Sequence, residues 1–492
     1  MSTTTSAAES EPRATQDSSW LLVALADGLV QNVQTGFACG VNNRDGRGIA
    51  HIRPMNVSTE GQIELSDMKF VALDEATRDE RLVQRGDVIF NNTNSPELVG
   101  KTALYDEGEP RAFSNHMTRL RVDESRIRPH YLALALHQLW REGYFADKCN
   151  NHVSQASISR AVLLETEIPL PSTEVQKTLV QTVTDLQQQV HSASGRLDTI
   201  PSLLKKLRQS VLSAACSGQL TADWRETHSA IPDGRGIVAK LEASHFAAGG
   251  HRKGNAAAPS EEAHDLDPLG LPESWGLTDF RNAVDPSRPI TYGILKPGPN
   301  VVEGIPYVRV ADFPGDKLVL GGIKKTSREI EAAFARARLR SDDVLLSIRG
   351  TVGRVCVVPV ELEGGNITQD TARLSLQTFL LRDYVVLYLK SAPVQDRMDR
   401  AQKGVAVRGI NIGDVRALQL AVPPWEEQLE IVRRVESLLA LAGSIESRLA
   451  EATTQVGRTS QAILAKAFRG ELATSRRATD PKLLNGMPGH SI

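Results

Sequence analysis

The chain has 492 residues, 41% hydrophobic and 24% charged, too many for one ordinary core, and length alone suggests about three domains. No apolar run approaches the ~18 residues a membrane span needs, and the start Met1-Ser2-Thr3-Thr4-Thr5-Ser6 lacks the basic and apolar parts of a secretory signal. Net charge is −2, from 57 basic and 59 acidic residues, so composition excludes a strongly basic nucleic-acid binder and leaves any DNA contact to local patches.

In chain order, residues 1–17 are polar and are expected to be a disordered tail. Residues 18–160 predict a mixed α+β module, with a strand at Val88–Phe90 and a helix at Tyr131–Arg141. Asn91-Asn92-Thr93-Asn94-Ser95 follows that strand and precedes Lys101. Asn can pair bidentately with adenine, and Lys can hold a phosphate. Asn92, Thr93, Asn94, Ser95 and Lys101 are therefore candidate DNA contacts. A polar turn held by Asx hydrogen bonds would use the same residues, and both readings stay open.

Residues 161–226 carry a long helix. Leu179, Val183, Leu186, Val190, Ala193, Leu197, Ile200, Leu204, Leu207 and Val211 alternate spacings of 4 and 3, the stripe of a coiled coil. Thr173-x-x-Gln176 reads as a capping box, and Gly218 as the glycine that ends the helix. Pro201 is expected to kink or split it. Residues 227–270, with Gly249-Gly250 and Ala256-Ala257-Ala258-Pro259, read as a linker.

Residues 271–410 predict a second α+β module, with strands at Val344–Ile348, Val355–Val358 and Ala372–Leu376 and a helix at Asp383–Lys390. Basic residues crowd 320–354, among them Lys324, Lys325, Arg349 and Arg354. Arg349-Gly350-Thr351-Val352-Gly353-Arg354 is a glycine turn apt for phosphate or guanine, or else part of a solvated charged face. Residues 411–473 hold a second long helix, with Ile431, Val435, Leu438, Ala442, Ile445, Leu449, Ala452, Val456, Thr459 and Ile463 in the same phase. Residues 474–492 read as a second disordered tail.

The chain repeats itself. Val153, Ile158, Pro171, Gln176, Val183, Gly218 and Leu220 recur as Val405, Ile410, Pro423, Gln428, Val435, Gly470 and Leu472, at an offset of 252 without a gap. Upstream the match drifts: Gly48–Arg53 aligns with Gly304–Arg309, which adds Arg53 and Arg309 to the candidate DNA contacts. The fold class is thus α+β, with two pseudo-repeated modules separated by long helices. Their stripes cannot stay in water. Two matched stripes in one chain meet at high effective concentration, so antiparallel pairing with each other is favoured over a homodimer or bundle. Leu179, Val183, Leu186, Val190 and Leu197 on one stripe and Ile431, Val435, Leu438, Ile445 and Leu449 on the other are the candidate coiled-coil or subunit-interface residues.

Catalytic signatures are missing. Gly100-Lys101-Thr102 resembles the end of a phosphate loop, but Ser95 stands where the pattern needs glycine. Val422-Pro423-Pro424-Trp425 lacks the Asn or Asp of an adenine-methyltransferase motif. No H-E-x-x-H, G-x-S-x-G, G-x-G-x-x-G or C-x-x-C occurs, so no catalytic or metal residue is assigned. The scattered Cys39, Cys149, Cys216 and Cys356 suit a reducing cytoplasm.

The repeat, with Ile168–Gln176, Leu207–Leu212, Ser217–Thr221, Asp223–Glu226, Pro423–Gln428 and Ala467–Leu472, resembles the specificity subunit of type I restriction-modification systems. Gly86–Thr102 is similar to one class of target recognition domain. The resemblance implies that each module reads half of a bipartite, asymmetric double-stranded DNA target, and that the paired helices set the spacer. It implies two modification (methyltransferase) subunits as partners, then restriction (motor-nuclease) subunits. S-adenosylmethionine, ATP and magnesium would sit on those partners, with no cofactor, no catalysis and no membrane contact expected of this chain. A non-catalytic protein-binding scaffold with assembly rods is the competing reading.

Overall fold

The computed structural model describes residues 20–38, 42, 44–72, 82–151, 155–228, 232–249, 270–315, 317–402 and 408–472. Both expected tails lie outside them. The chain forms two compact units, residues 1–198 with 450–492, and residues 199–449. Each unit therefore takes one end of both long helices.

The first unit runs β1 (Leu21–Ala24), β2 (Val30–Thr35), β3 (Ile49–Ile52), β4 (Lys69–Val71), β5 (Leu82–Val83), β6 (Val88–Asn91) and β7 (Thr93–Asn94). It continues with β8 (Thr102–Leu104), β9 (Arg111–Phe113), β10 (Met117–Val122), α1 (Pro129–Arg141), β11 (Asn150–Asn151), β12 (Ala156–Ser157), β13 (Glu167–Leu170) and the start of α2 (Thr173–Cys216). One antiparallel sheet has the order β2-β10-β6-β8, and a mixed sheet the order β4-β3-β9-β5. A ribbon, β11-β12-β7, and the pair β1-β13 complete the unit.

Strand β6 shows why these layers form. All four residues of Val-Ile-Phe-Asn are buried. Val88 and Phe90 join Leu132 and Leu136 of α1 on one face, and Ile89 joins Ala103, Phe113 and Met117 on the other. This is the two-residue alternation of a strand covered on both sides.

The second unit repeats the plan. It holds α3 (Gly234–Ala247), β14 (Gly276–Asp279), β15 (Thr291–Tyr292), β16 (Ile305–Val308), β17 (Lys324–Thr326), β18 (Val344–Ser347) and β19 (Val355–Val357). Then come β20 (Asn366–Ile367), β21 (Thr371–Leu374), α4 (Arg382–Lys390), β22 (Gln419–Val422) and the start of α5 (Trp425–Phe468). Sheet orders are β15-β21-β18-β19, β17-β16-β20 and β14-β22. Val344 and Leu346 enter one core and Leu345 the other, as in β6.

A buried carboxylate at the head of the central strand recurs. Asp87 pairs with Arg121 at 2.8 Å and accepts from the Gln84 N–H at 2.7 Å. Asp343 pairs with Arg288 at 2.8 Å and accepts from the Arg340 N–H at 2.8 Å. The residue before each has positive φ, Gly86 at 93° and Asp342 at 71°. Asp342 takes a conformation that favours glycine.

The long helices pair antiparallel within each unit. In the first, Leu179 and Val183 of α2 share a core with Ile463, Leu464 and Ala467 of α5. In the second, Val211 and Ala215 of α2 share a core with Ile431 and Val435 of α5. Leu186, Val190, Leu197, Leu438, Ile445 and Leu449 are half-buried, and Thr459 is exposed, as a polar residue in an apolar stripe should be. Arg208 meets Glu446 at 2.9 Å along the seam of the second unit. Gly218 and Gly470 end the helices with φ of 79° and 82°.

Three expectations need correction. Pro201 does not split α2, which runs unbroken over 44 residues. Pro201 itself is exposed, so its ring meets water and not the facing helix. Gln176 does not complete a capping box with Thr173, which is already helical. Instead its buried amide donates to the Pro171 and Arg126 carbonyls at 2.9 and 3.0 Å and accepts from the Arg128 N–H at 2.8 Å. Gln428 repeats the clip, donating to the Pro423 carbonyl at 3.0 Å and accepting from the Leu381 N–H at 2.8 Å. Each clip ties the entry of a long helix to the N-terminus of α1 or α4.

The third correction concerns the expected linker 227–270, part of which is the packed helix α3. Asp233 caps it, accepting from the Arg235 N–H at 2.7 Å, and Val238 and Leu241 are buried. It lies so close to β14 that a Cβ on Gly276 would sit 2.5 Å from Val238. At the end of α2, buried Glu427 accepts from Thr221 Oγ1 at 2.7 Å, Arg225 at 2.5 Å and Trp275 Nε1 at 2.9 Å.

Two predictions follow from this packing. Gln428→Leu leaves the Leu381 N–H and Pro423 carbonyl without their partner, and should cost the second unit about 1–3 kcal/mol in urea unfolding. An unchanged midpoint would show that the clip does not stabilise. His137 is buried in α1, and burial, aided by the Arg141 charge, pushes its pKa down from 6.5 to about 4. The unfolded chain takes the proton first, so stability held above pH 6.5 is lost as pH falls toward 4. The first unit should lose about 2 kcal/mol between pH 7 and pH 5. Thermal unfolding of His137→Leu over that range should show a flatter dependence.

Candidate nucleic-acid interface

In the first unit the candidate loop leaves β6 and returns into β8. Buried Asn91 closes its base, its amide donating to the Leu98 carbonyl at 3.3 Å and its N–H to the Lys101 carbonyl at 2.9 Å. Gly100, with φ of 92°, turns the chain where a Cβ would strike the Phe145 ring at 2.4 Å. Asn92 is anchored by its amide to Thr118 Oγ1 at 2.9 Å and by its N–H to the His116 carbonyl at 3.0 Å. Thr93 donates to the Asn92 side-chain oxygen at 3.1 Å, and the Ser95 N–H to Asn94 Oδ1 at 2.9 Å. Asn92, Thr93, Asn94 and Ser95 all remain half-buried at the surface. Thr93 and Asn94 pair with Ser157 and Ala156, which pair with Asn150 and Asn151.

In the second unit Ser347 closes the glycine turn. Its hydroxyl donates to the Thr351 carbonyl at 2.5 Å and accepts from the Arg354 N–H at 2.8 Å. Gly350 and Gly353 have φ of 74° and 90°. Arg349 and Thr351 are exposed, and Arg349 forms an antiparallel bridge with Gly409. Lys324 and Lys325 are exposed on β17, paired with Tyr307 and Pro306 of β16. They belong to a different sheet from the turn.

Four sequence candidates are structural ties instead of free cations. Lys101 is buried, its ammonium donating to the Val57 carbonyl, and burial lowers its pKa. Arg354 stands at the matching position and reaches the Val310 carbonyl at 3.4 Å. Arg53 is held by Asp67, at 3.3 Å to the carboxylate and 2.7 Å to the carbonyl. Arg309, its counterpart, grips Asp312 through two nitrogens, one at 3.0 Å. In both units these cations fasten the turn after β3 or β16.

Three surface residues beside the loops escaped the sequence reading. Asn150 lies in the ribbon of the first unit and Gln155 just before its strand β12, and Arg408 precedes Gly409 in the second. A signal existed for Arg408. It falls 252 positions after Ala156, so an otherwise gapless repeat changes alanine to arginine there. Among the described residues, no group of His, Cys, Asp or Glu has a metal-holding arrangement, and no helix is long and apolar enough to cross a membrane.

Comparison with known proteins agrees with this architecture. The specificity subunit of the type I restriction enzyme EcoBI of Escherichia coli is 31% identical over 381 residues, covering 77% of this chain and 73% of that one. The StySPI specificity subunit of Salmonella potsdam is 27% identical over 445 residues, covering 88% of this chain and 85% of its own length. A crystal structure of the HsdS subunit from Thermoanaerobacter tengcongensis superposes with a TM-score of 0.58 at 20% identity, over 92% of this chain and 97% of that one, which establishes the shared fold. Residues 48–202 and 294–454, more than half the chain and one span in each repeat, match the family model of the type I restriction modification DNA specificity domain. The chain belongs to the specificity subunits of type I restriction-modification systems.

Proposed function

We propose that this chain is the sequence-reading subunit that directs modification and restriction subunits to a bipartite, asymmetric double-stranded DNA target in the cytoplasm. The observation that carries the reading is a shared frame with unlike tips. Both units repeat the order of the central four-stranded sheet, the buried strand-head carboxylate and the glutamine clip. They differ after the central strand, half-buried Thr93-Asn94 against exposed Arg349-Gly350. One frame offering two surfaces suits two unlike half-sites.

In this reading each unit meets one half-site, and the α2–α5 pair sets the spacer. The pair also offers two quasi-equivalent faces, which suits two methyltransferase subunits, with restriction subunits joining them. S-adenosylmethionine, ATP and magnesium would serve chemistry on those partners. This chain would supply the address.

Methylation mapping tests the reading, in cells carrying the gene and its partner methyltransferase against cells lacking only this gene. A gapped two-part adenine-methylated motif should vanish with the gene. An unchanged methylome with an assembled complex would favour a scaffold role. Lengthening α2 and α5 by one heptad each should add about 10 Å at ~1.5 Å per residue, or about three base pairs of spacer, with both half-sites kept. An unchanged spacer would defeat the ruler.

A further inference from the structure

The two modules carry opposite charge. Residues 18–160 hold 16 Lys and Arg against 18 Asp and Glu, and residues 271–410 hold 20 against 16. The near-neutral chain thus joins a negative first module to a positive second one.

Ion pairing widens the difference. In the first module exposed Arg44, Arg47 and Arg85 pair with Asp67, Asp45 and Asp106 at 3.9, 3.1 and 2.7 Å. Exposed Arg126 donates to the Asp27 carbonyl, and exposed Lys148 lies over the Tyr144 ring at 4.4 Å. In the second module exposed Lys296, Lys317, Lys324, Arg328, Arg340 and Arg349 form no ion pair among the described residues. The contrast sits on a shared frame. Strand β4 pairs with β3 as β17 pairs with β16, with Phe70 opposite Ala50 and Lys325 opposite Pro306. Half-buried Phe70 in one unit is thus exposed Lys325 in the other.

Unpaired like charges repel one another, and a polyanion relieves that repulsion while being drawn in from a distance. Each phosphate neutralised releases counterions, so log K falls against log salt with a slope of about −0.9 per contact. A module of net negative charge gains little from this effect. It must hold DNA through hydrogen bonds and contacts to bases.

We propose that the second unit is the electrostatic anchor of the DNA complex. Its unpaired cations hold backbone phosphates and engage DNA first, and the first unit then reads its half-site with little dependence on salt. The inference rests on the DNA-reading role proposed above and deepens it by giving the two units different tasks.

The test measures binding of the mapped target against salt, using the complex purified with its modification subunits, whose own contribution is the same in every variant. Lys324→Gln, Arg328→Gln and Arg340→Gln combined should lower the salt slope by about two to three, roughly one per cation removed. Association at low salt should slow about tenfold or more, and the loss should shrink as salt rises. Lys317→Gln with Arg349→Gln supplies an independent second set, with a slope loss of about two. Lys69→Gln, Lys148→Gln and Arg160→Gln combined remove as many cations from the first unit and should change the slope by less than about 0.5. Melting curves matching wild type establish that each variant is folded. Equal slope losses from the two units would overturn the division of tasks, as would an unchanged slope in both second-unit sets. Either result leaves target preference intact. A wild-type complex with no sequence preference would instead defeat the DNA-reading role, and the inference with it.

Discussion

The whole structure depends on two apolar stripes that cannot be left in water. Neither unit closes with the chain that precedes it. The first buries Leu179 and Val183 only by taking Ile463, Leu464 and Ala467 from the far end of the chain. Tyr131 of α1 leans on Phe468 there, with ring centroids 5.3 Å apart. A fully buried Val, Leu or Ile contributes about 1.5–3 kcal/mol, so the four larger of these side chains rival the net stability of a domain. The first unit is thus completed by the last helix, and the second by the end of the first helix. Insertion within a helix would rotate the stripe off its partner, which explains why the repeat runs without a gap behind the modules and drifts within them.

Everything at a helix entry serves that pairing. A helix 44 residues long must leave its module in a defined direction. The glutamine clips set it by tying the entry strand to α1 and α4. Glu427 adds a third tie in the second unit, where one carboxylate holds Thr221, Arg225 and Trp275. Burying that charge is costly alone, and three donors offset the cost. The first unit has Val175 at the matching position. There the clip from Gln176 reaches both Arg126 and Pro171.

The sequence made the helices, the repeat and the central strands legible because each rests on periodicity, which survives without three-dimensional information. Val88–Phe90 and, Ser347 aside, Val344–Ile348 are apolar on both faces and read as strands on that ground. Helix α3 did not read so. It buries little beyond Val238 and Leu241, and its fit depends on Gly234 and Gly276, whose meaning is set by a neighbour distant in sequence. Gln176 was misread because a capping box and a tertiary clip use the same residue at the same spacing. Lys101 was a candidate phosphate contact from its place after the Asn-rich turn, and the fold sends its ammonium to a backbone carbonyl inside the unit. Charge says that a side chain needs a partner. Only the fold says whether that partner is internal or a ligand.

The internal repeat carries a criterion that separates these cases. A residue whose role recurs in both units belongs to the frame. Lys101 and Arg354 reach the carbonyls of Val57 and Val310, and Arg53 and Arg309 grip nearby acids. A residue that changes chemistry at a fixed backbone position distinguishes the units, as buried Ala156 and exposed Arg408 do. The two classes also differ energetically. Frame side chains are buried and partnered, and removing one strands its partner at a cost of about 1–3 kcal/mol. Exposed tip residues such as Arg349 and Gln155 change stability by only about 0.5 kcal/mol in either direction. The tips can therefore vary almost freely against a frame that cannot, and one fold can carry two surfaces in a single chain without compromise to either core.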